Sequence, residues 1–233
     1  MIVLSWNCQG IEATWTVRAL REMIRSHNPD MVFLIETKCN SQRMDNIKRS
    51  INMDGLAVNS KSRGGGLALL WRKSLTTTIQ SFSQHHIDSS VQESSQPHAW
   101  RFTHIYGDPD VMKRKHTWSL ISTLRKQSQR PWFCIGDFNE ILDHKEKEGG
   151  SIRPNWQMRD FRRALADNGL HDLGYLGEPF TWSNRQDHPA TVRERLDRAC
   201  ASDSWLSCHL DAVIRHLNTI YSDHCPILLK SDP

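Results

Sequence analysis

The sequence lacks several features that would assign a protein class at once. No stretch approaches the roughly 18 consecutive apolar residues that a membrane-spanning helix requires. No C-x-x-C pair occurs, so neither a zinc knuckle nor a redox motif is visible. We expect the six cysteines to be small buried hydrophobic residues in a reducing compartment.

The N-terminus also lacks the pattern of a secretory signal. Met1 leads directly into the short run I-V-L-S-W-N, and no basic segment precedes that run. The run predicts a β-strand, and we expect an intracellular protein. Internal repeats, linkers and low-complexity tracts are absent as well, so the sequence predicts one domain over residues 1–233.

The composition is that of an ordinary folded protein. Hydrophobic residues make up 38% and charged residues 24% of the chain, which does not suit a disordered protein. A chain of 233 residues buries enough surface to fold without disulfides or a structural metal. The net charge of +4 and the pI of about 8.8 are compatible with a polyanionic partner but do not require one.

Apolar runs alternate with amphipathic stretches along the chain. Apolar residues at spacings of three and four predict the helices Thr16–His27, Lys113–Lys126 and Trp156–Asn168. Apolar runs predict the strands Ile2–Ser5, Met31–Ile35, Leu67–Trp71, Trp100–Tyr106, Trp132–Gly136, Leu196–Cys200, Ala212–Arg215 and Cys225–Lys230. The segment Gln84–Gln96 predicts an exposed strand and turn. Strands and helices joined by short links predict layered α/β packing.

Polar side chains lie at or near the ends of several predicted strands, where α/β proteins place ligands. They are Asn7, Glu36, Tyr106, Asp137, Asn139, Asp197, Asp223 and His224. Each one alone is typical of a structural role, such as a turn, a helix cap or a solvated charge. As a set, these residues indicate more than structural roles. Carboxylates suit Mg²⁺, and a histidine paired with an aspartate can hold a proton or polarise a phosphoryl oxygen. The set therefore indicates metal-assisted phosphate hydrolysis.

The ordered motifs of the chain resemble those of the endonuclease/exonuclease/phosphatase superfamily from end to end. These motifs are S-W-N-C-Q-G, L-I-E-T-K, I-Y-G, I-G-D-F-N-E, R-L-D-R and S-D-H-C-P-I. Within that superfamily the chain resembles the apurinic/apyrimidinic endonuclease branch, and more narrowly the endonuclease domains of plant LINE-type (non-LTR) retrotransposons. The finer marks are the segments Ser62–Trp71, Glu146–Gly150 and Glu178–Asn184. The resemblance implies a four-layer α/β sandwich of the deoxyribonuclease I type, in which two mixed β-sheets are flanked by helices.

The resemblance also implies a metal site. Glu36 would be the principal ligand of Mg²⁺, for which Mn²⁺ could substitute, and Asn7 and Asp223 would complete or support the site. Apurinic endonucleases carry an acidic residue two positions after the first-strand asparagine, whereas this sequence has Gln9 there. We therefore expect one tightly held ion and reduced activity at apurinic sites.

The remaining motif residues would carry the reaction, in-line attack of water on a DNA phosphodiester that leaves a 3′-hydroxyl and a 5′-phosphate. Asp137 would orient and deprotonate the water, and Asn139 would position it. His224 would contact the scissile phosphate, and Asp197 would hold the His224 ring. Tyr106 would donate to the phosphate or to the leaving oxygen. Both Asp137 and His224 remain candidates for the general base.

The segment T-W-S-N and the arginine after it predict the DNA contacts. In LINE-like enzymes this segment precedes or enters a hairpin that recognises the DNA minor groove, where groove width and flexibility guide site choice. The expected DNA-binding residues are Trp182, Asn184, Arg185 and Arg195. For most of the other basic residues the sequence favours ordinary surface charge.

Two other interpretations stay open. One is an enzyme of the same fold that acts on RNA, an inositol phosphate or a sphingolipid, and the segment T-W-S-N-R speaks against it. The other is a decayed element fragment that binds DNA without cutting it. For the favoured interpretation we expect a monomer that acts on double-stranded DNA in the nucleus. In a full-length element, a reverse transcriptase domain would accompany it.

Overall fold

The computed structural model describes residues 1–61, 64–93 and 99–231. Within these ranges the α-helices are α1 (Thr14–His27), α2 (Ser41–Ile51), α3 (Arg114–Gln127), α4 (Asn155–Asp167) and α5 (Asp203–Cys208). The first eight strands are β1 (Ile2–Asn7), β2 (Met31–Ile35), β3 (Asp54–Val58), β4 (Leu67–Trp71), β5 (Thr76–Phe82), β6 (His86–Gln92), β7 (Trp100–Tyr106) and β8 (Trp132–Asp137). The remaining strands are β9 (Lys147–Glu148), β10 (His171–Asp172), β11 (Trp182–Ser183), β12 (Arg193–Glu194), β13 (Asp197–Ala201), β14 (Val213–His216) and β15 (Ile227–Lys230).

Two six-stranded mixed sheets form the body of the protein. The first sheet has the strand order β14-β15-β1-β2-β4-β3, and the second has the order β10-β13-β8-β7-β6-β5. Each sheet contains one parallel pair near its centre, β1 with β2 and β7 with β8, and a helix connects the two strands of each pair. A small third sheet has the strand order β11-β12-β9.

Three apolar clusters divide the molecule into four layers. The inter-sheet cluster packs the inner faces of both sheets together and includes Phe33 and Phe133. A second cluster packs the outer face of the first sheet against α1 and α2, with Leu20 and Ile47 contributed by the helices. The third packs the outer face of the second sheet against α3 and α4 through residues such as Phe161. The predicted four-layer sandwich of two mixed sheets flanked by helices is therefore confirmed.

The long apolar strands and the three predicted helices are all present, with ends shifted by a few residues. Helix α1 ends at His27 because Asn28 adopts the left-handed conformation with φ 52° and its N–H bonds to the carbonyl oxygen of Ile24. The final strand begins at Ile227 rather than at the predicted Cys225, and Pro226 lacks the N–H that a ladder position requires.

Several elements of the body were not predicted, and two of them, α2 and β5, have polar sequences. Helix α2 buries only Met44 and Ile47 of its eleven residues, and β5 is an edge strand whose residues alternate between half-buried and exposed. Strand β3 and the short helix α5 were missed as well. Cys208, at the end of α5, is exposed, contrary to the expectation that all cysteines are buried.

The prediction of an exposed strand and turn over Gln84–Gln96 is wrong for the strand. The described part contains β6, which lies between β5 and β7 and is largely buried. Its buried polar side chains have hydrogen-bond partners within the protein. For example, Asp88 forms a bidentate ion pair with Arg101 and accepts a hydrogen bond from the Thr103 hydroxyl. Residues 94–96 of the predicted segment lie outside the described residues, as do Ser62 and Arg63 of the motif Ser62–Trp71.

Over the described ranges, no helix is both long enough and apolar enough to cross a bilayer.

Gly136 is required where β8 approaches β7. Its φ is 147°, and a Cβ at this position would lie 2.0 Å from the carbonyl oxygen of Ile105. We expect Gly136→Ala to lower the free energy of unfolding by at least about 2 kcal/mol, because the backbone of the parallel strand pair must move. Urea unfolding followed by circular dichroism measures this.

Gly169→Ala is the matched control for Gly136→Ala. Gly169 follows α4 with φ 61°, and a Cβ added there would meet nothing within 4 Å, so only the left-handed conformation disfavours alanine. We expect this control to cost about 1 kcal/mol. Equal destabilisation by the two variants would contradict the requirement for a close approach at Gly136.

Candidate active site

The predicted polar residues converge at one edge of the sandwich. In a parallel strand pair the carboxyl ends meet at the same edge, so Asn7 comes beside the end of β2, and Tyr106 pairs with Asp137. Strand β13 runs antiparallel to β8, which places Asp197 directly opposite Asp137. The strands of both sheets therefore present their polar terminal residues to a single site.

His224 lies between two carboxylates at the centre of the site. Its Nδ1 is 2.8 Å from Asp197 Oδ2, and its Nε2 is 3.8 Å from Asp137 Oδ2. The side chain is almost fully buried, and burial alone would lower the pKa of the imidazole. The charges of Asp197 and Asp137 outweigh burial and raise the pKa of His224 to about 9. The contact with Asp197 fixes the orientation of the ring.

Asp137 is held by amide donors at both carboxylate oxygens. The main-chain N–H of Asn139 donates to Oδ1 at 2.8 Å, and the Asn7 side-chain amide donates to Oδ2 at 3.1 Å. Asn139 has φ 54°, and its side-chain amide donates to the carbonyl oxygen of Gly107 at 2.8 Å. This hydrogen bond anchors the turn after β8. Burial, together with the charge of Asp197, raises the pKa of Asp137.

Glu36 lies beside this centre and is partly accessible to solvent. Its Oε1 accepts hydrogen bonds from the Tyr106 hydroxyl at 2.9 Å and from the Asn7 amide at 3.4 Å. Its Oε2 lies 3.3 Å from Lys38 Nζ, and the side chain is 18% exposed. Burial and the charge of Glu36 raise the pKa of Tyr106, so the hydroxyl remains a donor.

Asp223 lies at the rim of the site and is half-buried. Its Oδ2 accepts from Gln9 Nε2 at 2.9 Å and from Trp182 Nε1 at 3.0 Å. The main-chain N–H of Gln9 lies 3.4 Å from Asn7 Oδ1, so Gln9 connects Asp223 with the end of β1.

Several supporting residues were not singled out from the sequence. Ser222 donates to the carbonyl oxygen of Asn7 at 2.7 Å and accepts from the N–H of His224 at 3.1 Å. The buried Thr181 hydroxyl accepts from the N–H of Asp197 at 2.9 Å. Lys38 forms the ion pair with Glu36. All three belong to the quoted motifs S-D-H, T-W-S-N and L-I-E-T-K. Ser222 and Thr181 have partners distant in the chain, Asn7 and Asp197, so no local pattern identifies their roles. Lys38 pairs with Glu36 two residues before it within the same motif.

The donor set suits a hard divalent cation. Among the described residues, the titratable ligand atoms that lie within 4.8 Å of one another belong to Asp137, Asp197 and His224. Asp197 and His224 are hydrogen-bonded to each other and buried, which leaves little room for an ion that retains several waters. Glu36, with the Asn7 amide beside it, faces the accessible side and offers oxygen ligands. Burial and the charge of Asp197 raise the pKa of Asp137, and a divalent cation beside it would favour the charged form of this carboxylate.

The expected DNA-binding residues fall into two groups. Arg185 is exposed on the loop between β11 and β12, and its guanidinium contacts the carbonyl oxygen of Ser222. The Asn184 side chain is occupied within that loop, since it donates to Ala190 O at 2.8 Å and accepts from the N–H of Val192 at 2.9 Å. Trp182 is half-buried against the body, so its indole does not project as an exposed wedge.

Arg195 does not fit its predicted role as a DNA contact, because its side chain is buried. The guanidinium donates to Glu146 at 2.9 Å and to both oxygens of Asp172 at 2.8 Å, and it lies over the ring of Tyr175. Arg198 completes the group, with contacts to Glu146 at 2.8 Å and to Asp172 at 2.6 Å. This four-charge cluster holds the start of β13 and therefore supports the position of Asp197, which lies between the two arginines.

Solved structures of similar fold include DNA-processing enzymes. The 3′ phosphatase NExo from Neisseria, bound to a product DNA hairpin, is 16% identical with a TM-score of 0.75, and the match covers 100% of both chains. An AP endonuclease from Archaeoglobus fulgidus is 14% identical with a TM-score of 0.76 and the same coverage. The endonuclease domain of TRAS1, a telomere-specific non-LTR retrotransposon, is 13% identical with a TM-score of 0.73, and covers 98% of this chain and 97% of its own. At these identities the likeness demonstrates the fold alone.

The family is established by sequence. The model of the Endonuclease/Exonuclease/phosphatase family matches residues 4–224, which is nearly the whole chain. The chain therefore belongs to this family, whose members are generally hydrolytic nucleases and phosphatases. No curated protein is similar enough in sequence to count as a match.

We expect Glu146→Gln to lower the free energy of unfolding by about 3 kcal/mol at pH 7, because it leaves Arg198 without full charge compensation. Burial alone would raise the pKa of Glu146, but the charge of Arg198 outweighs burial and the pKa lies below 4.5. The stabilisation is therefore complete above pH 4.5 and is lost as the pH falls through the lower pKa of the folded state. Denaturation at a series of pH values measures this difference.

Glu148→Gln is the matched control in the same motif. Glu148 pairs with Arg193 at the surface, and its side chain is 57% exposed. We expect this variant to cost less than about 1 kcal/mol at any pH. If Glu146→Gln cost no more than the control at pH 7, the cluster would not have the stabilising role assigned here.

Proposed function

We propose that the chain is a Mg²⁺-dependent endodeoxyribonuclease that nicks one strand of duplex DNA and leaves a 3′-hydroxyl and a 5′-phosphate. The observation that carries this proposal is the arrangement around His224. Asp197 orients the ring from one side, Asp137 and Asn7 face its Nε2 on the other, and Glu36 lies next to Asn7 with a bonded tyrosine hydroxyl. This arrangement provides a proton acceptor, an oriented ring and an anionic ligand for metal within one site.

Each side chain has a chemical task in that reaction. Asp137, fixed at both oxygens, takes the proton from the attacking water, and the turn at Asn139 keeps the carboxylate in place. His224 contacts a non-bridging phosphate oxygen, and Asp197 prevents the ring from rotating. Tyr106, whose hydroxyl stays protonated, donates to the phosphate or the leaving oxygen. A Mg²⁺ ion at Glu36 would neutralise charge on the phosphate and on the leaving 3′-oxygen.

DNA is the favoured substrate for two reasons. Arg185 is exposed on the β11–β12 hairpin, and that hairpin is joined to the catalytic segment by the bridge between Trp182 and His224. A guanidinium in this position can bind phosphate or enter a narrow minor groove. The similar structures include one with a product DNA hairpin and a retrotransposon endonuclease domain.

We extend the proposal to a LINE-type element of plant origin, on the motif resemblance and the likeness to the TRAS1 domain. In that context the domain works as a monomer in the nucleus, and a reverse transcriptase domain uses the new 3′-hydroxyl. A decayed fragment that only binds DNA is less consistent with the site, because the side chains expected for catalysis are present with their hydrogen-bond partners.

Conversion of supercoiled plasmid to the open-circle form tests the activity. We expect nicking with Mg²⁺ and none with excess EDTA. His224→Ala and Asp137→Asn should reduce the rate roughly 10²- to 10⁴-fold, since each removes a group placed at the reacting atoms. The exposed His171, whose ring pairs with Asp203, provides the control His171→Ala, which should nick at the wild-type rate. Undiminished nicking by His224→Ala would refute the role assignment, and a folded wild-type protein that does not nick would favour the decayed fragment.

The role of Glu36 as metal ligand predicts a shift in metal dependence. Glu36→Gln removes a charge that faces the accessible side, so the Mg²⁺ concentration for half-maximal nicking should rise at least about tenfold. The exposed Glu178 offers the control Glu178→Gln, which should leave the titration unchanged. Superimposable Mg²⁺ titrations of Glu36→Gln and wild type would exclude Glu36 as the principal ligand.

A further inference from the structure

Asp223 is held at one oxygen by two neutral donors that approach from different parts of the chain. Trp182 Nε1 lies 3.0 Å from Asp223 Oδ2, and Gln9 Nε2 lies 2.9 Å from the same atom. The contact of Oδ1 within the described residues is weaker, at 3.4 Å from the Ser222 hydroxyl. The carboxylate is therefore anchored through Oδ2, and Oδ1 remains the oxygen with spare capacity for a ligand.

The indole that provides one of these donors is itself rigidly placed. Its ring packs against the apolar cluster of Ile141, Met158 and Leu196. The main chain of Trp182 forms an antiparallel bridge with His224, and the N–H of Ser183 donates to the carbonyl oxygen of Asp223 at 3.0 Å. Gln9, by contrast, is an exposed side chain and so a weaker constraint. Trp182 is thus the stronger determinant of the Asp223 rotamer.

The same residue also connects the site with the exposed hairpin. Trp182 and Ser183 form β11, which pairs with β12 across the loop that contains Arg185. The Arg185 guanidinium contacts the carbonyl oxygen of Ser222, immediately before Asp223. A ligand that draws Arg185 away would act on the same segment that Trp182 holds.

We propose that Trp182 is a positioning residue that presents Asp223 Oδ1 to the divalent cation, rather than a side chain that stacks on DNA. The inference rests on the proposed function, in which Asp223 supports the metal site. Without the indole N–H, Asp223 samples other rotamers, and the site loses preorganisation. Partners that orient a metal-binding carboxylate typically contribute 10- to 100-fold in metal affinity.

Trp182→Phe tests the proposal, because phenylalanine keeps an aromatic ring on the apolar cluster and removes only the N–H donor. We expect calorimetric titration with MgCl₂ alone, without DNA, to show at least about tenfold weaker binding than wild type. The control is Trp118→Phe, a half-buried tryptophan that stacks on Phe161 on the far side of the second sheet. This control should bind Mg²⁺ like wild type and should show a similar small change in metal-free Tm.

A double-mutant cycle separates positioning from general destabilisation. If Trp182 acts through Asp223, adding Trp182→Phe to Asp223→Asn should weaken Mg²⁺ binding by less than about twofold further. Undiminished Mg²⁺ affinity in Trp182→Phe, or a full additional loss in the double variant, would overturn the proposal. Weaker DNA binding with normal Mg²⁺ affinity would also overturn it, since that result is expected of a stacking residue.

The two proposals fail in distinguishable ways. If wild type binds Mg²⁺ and the cycle behaves as expected, but plasmid is not nicked, then the role of Trp182 stands and the proposed activity does not. If wild type binds no Mg²⁺ in the absence of DNA, the positioning role is refuted, whereas nicking that depends on Mg²⁺ would still support the activity.

Discussion

The hydrogen bond from Asn7 to Asp137 joins the two sheets at the edge where their shared apolar core ends. Asn7 terminates β1 of the first sheet, and Asp137 terminates β8 of the second, with 3.1 Å between the two side chains. The Asn7 amide also approaches Glu36 and His224. Because one buried amide contacts groups from both sheets, the packing of the two sheets against each other also fixes the geometry of the site.

Burying several carboxylates at this edge is costly, and the surrounding residues show how the cost is offset. Asp197 is balanced by His224, Glu36 by Lys38 and Tyr106, and the arginines on either side of Asp197 by Glu146 and Asp172. Burial, together with the charge of Asp197, still raises the pKa of Asp137. Buried carboxyl groups with perturbed pKa values in a cluster of this kind are concentrated at functional sites.

Much of this arrangement follows from local sequence. Apolar runs identify β2, β4 and β7 with the observed ends, and the motifs identify most of the central site because their polar residues sit at strand ends. What could not be predicted depends on distant partners. Arg195 is of a residue type that often contacts DNA, but its guanidinium is buried in ion pairs with Glu146 and Asp172. The sequence around Arg195 gives no sign of these two partners. Trp182 likewise has the character of a stacking residue until the fold brings Asp223 to its indole nitrogen. Strands such as β5 are polar because they lie at the edge of a sheet, so they lack the apolar run that predicts a strand from sequence.

The most direct test of the central claim concerns the ends that the reaction leaves. Hydrolysis as assigned here breaks the bond to the 3′-oxygen, so the nick should carry a 3′-hydroxyl and a 5′-phosphate. Treating the gel-purified open-circle plasmid with DNA ligase and ATP alone should then restore covalently closed circles. Nicks that ligase seals only after phosphatase or kinase treatment would contradict the account, because they would place the broken bond on the other side of the phosphate.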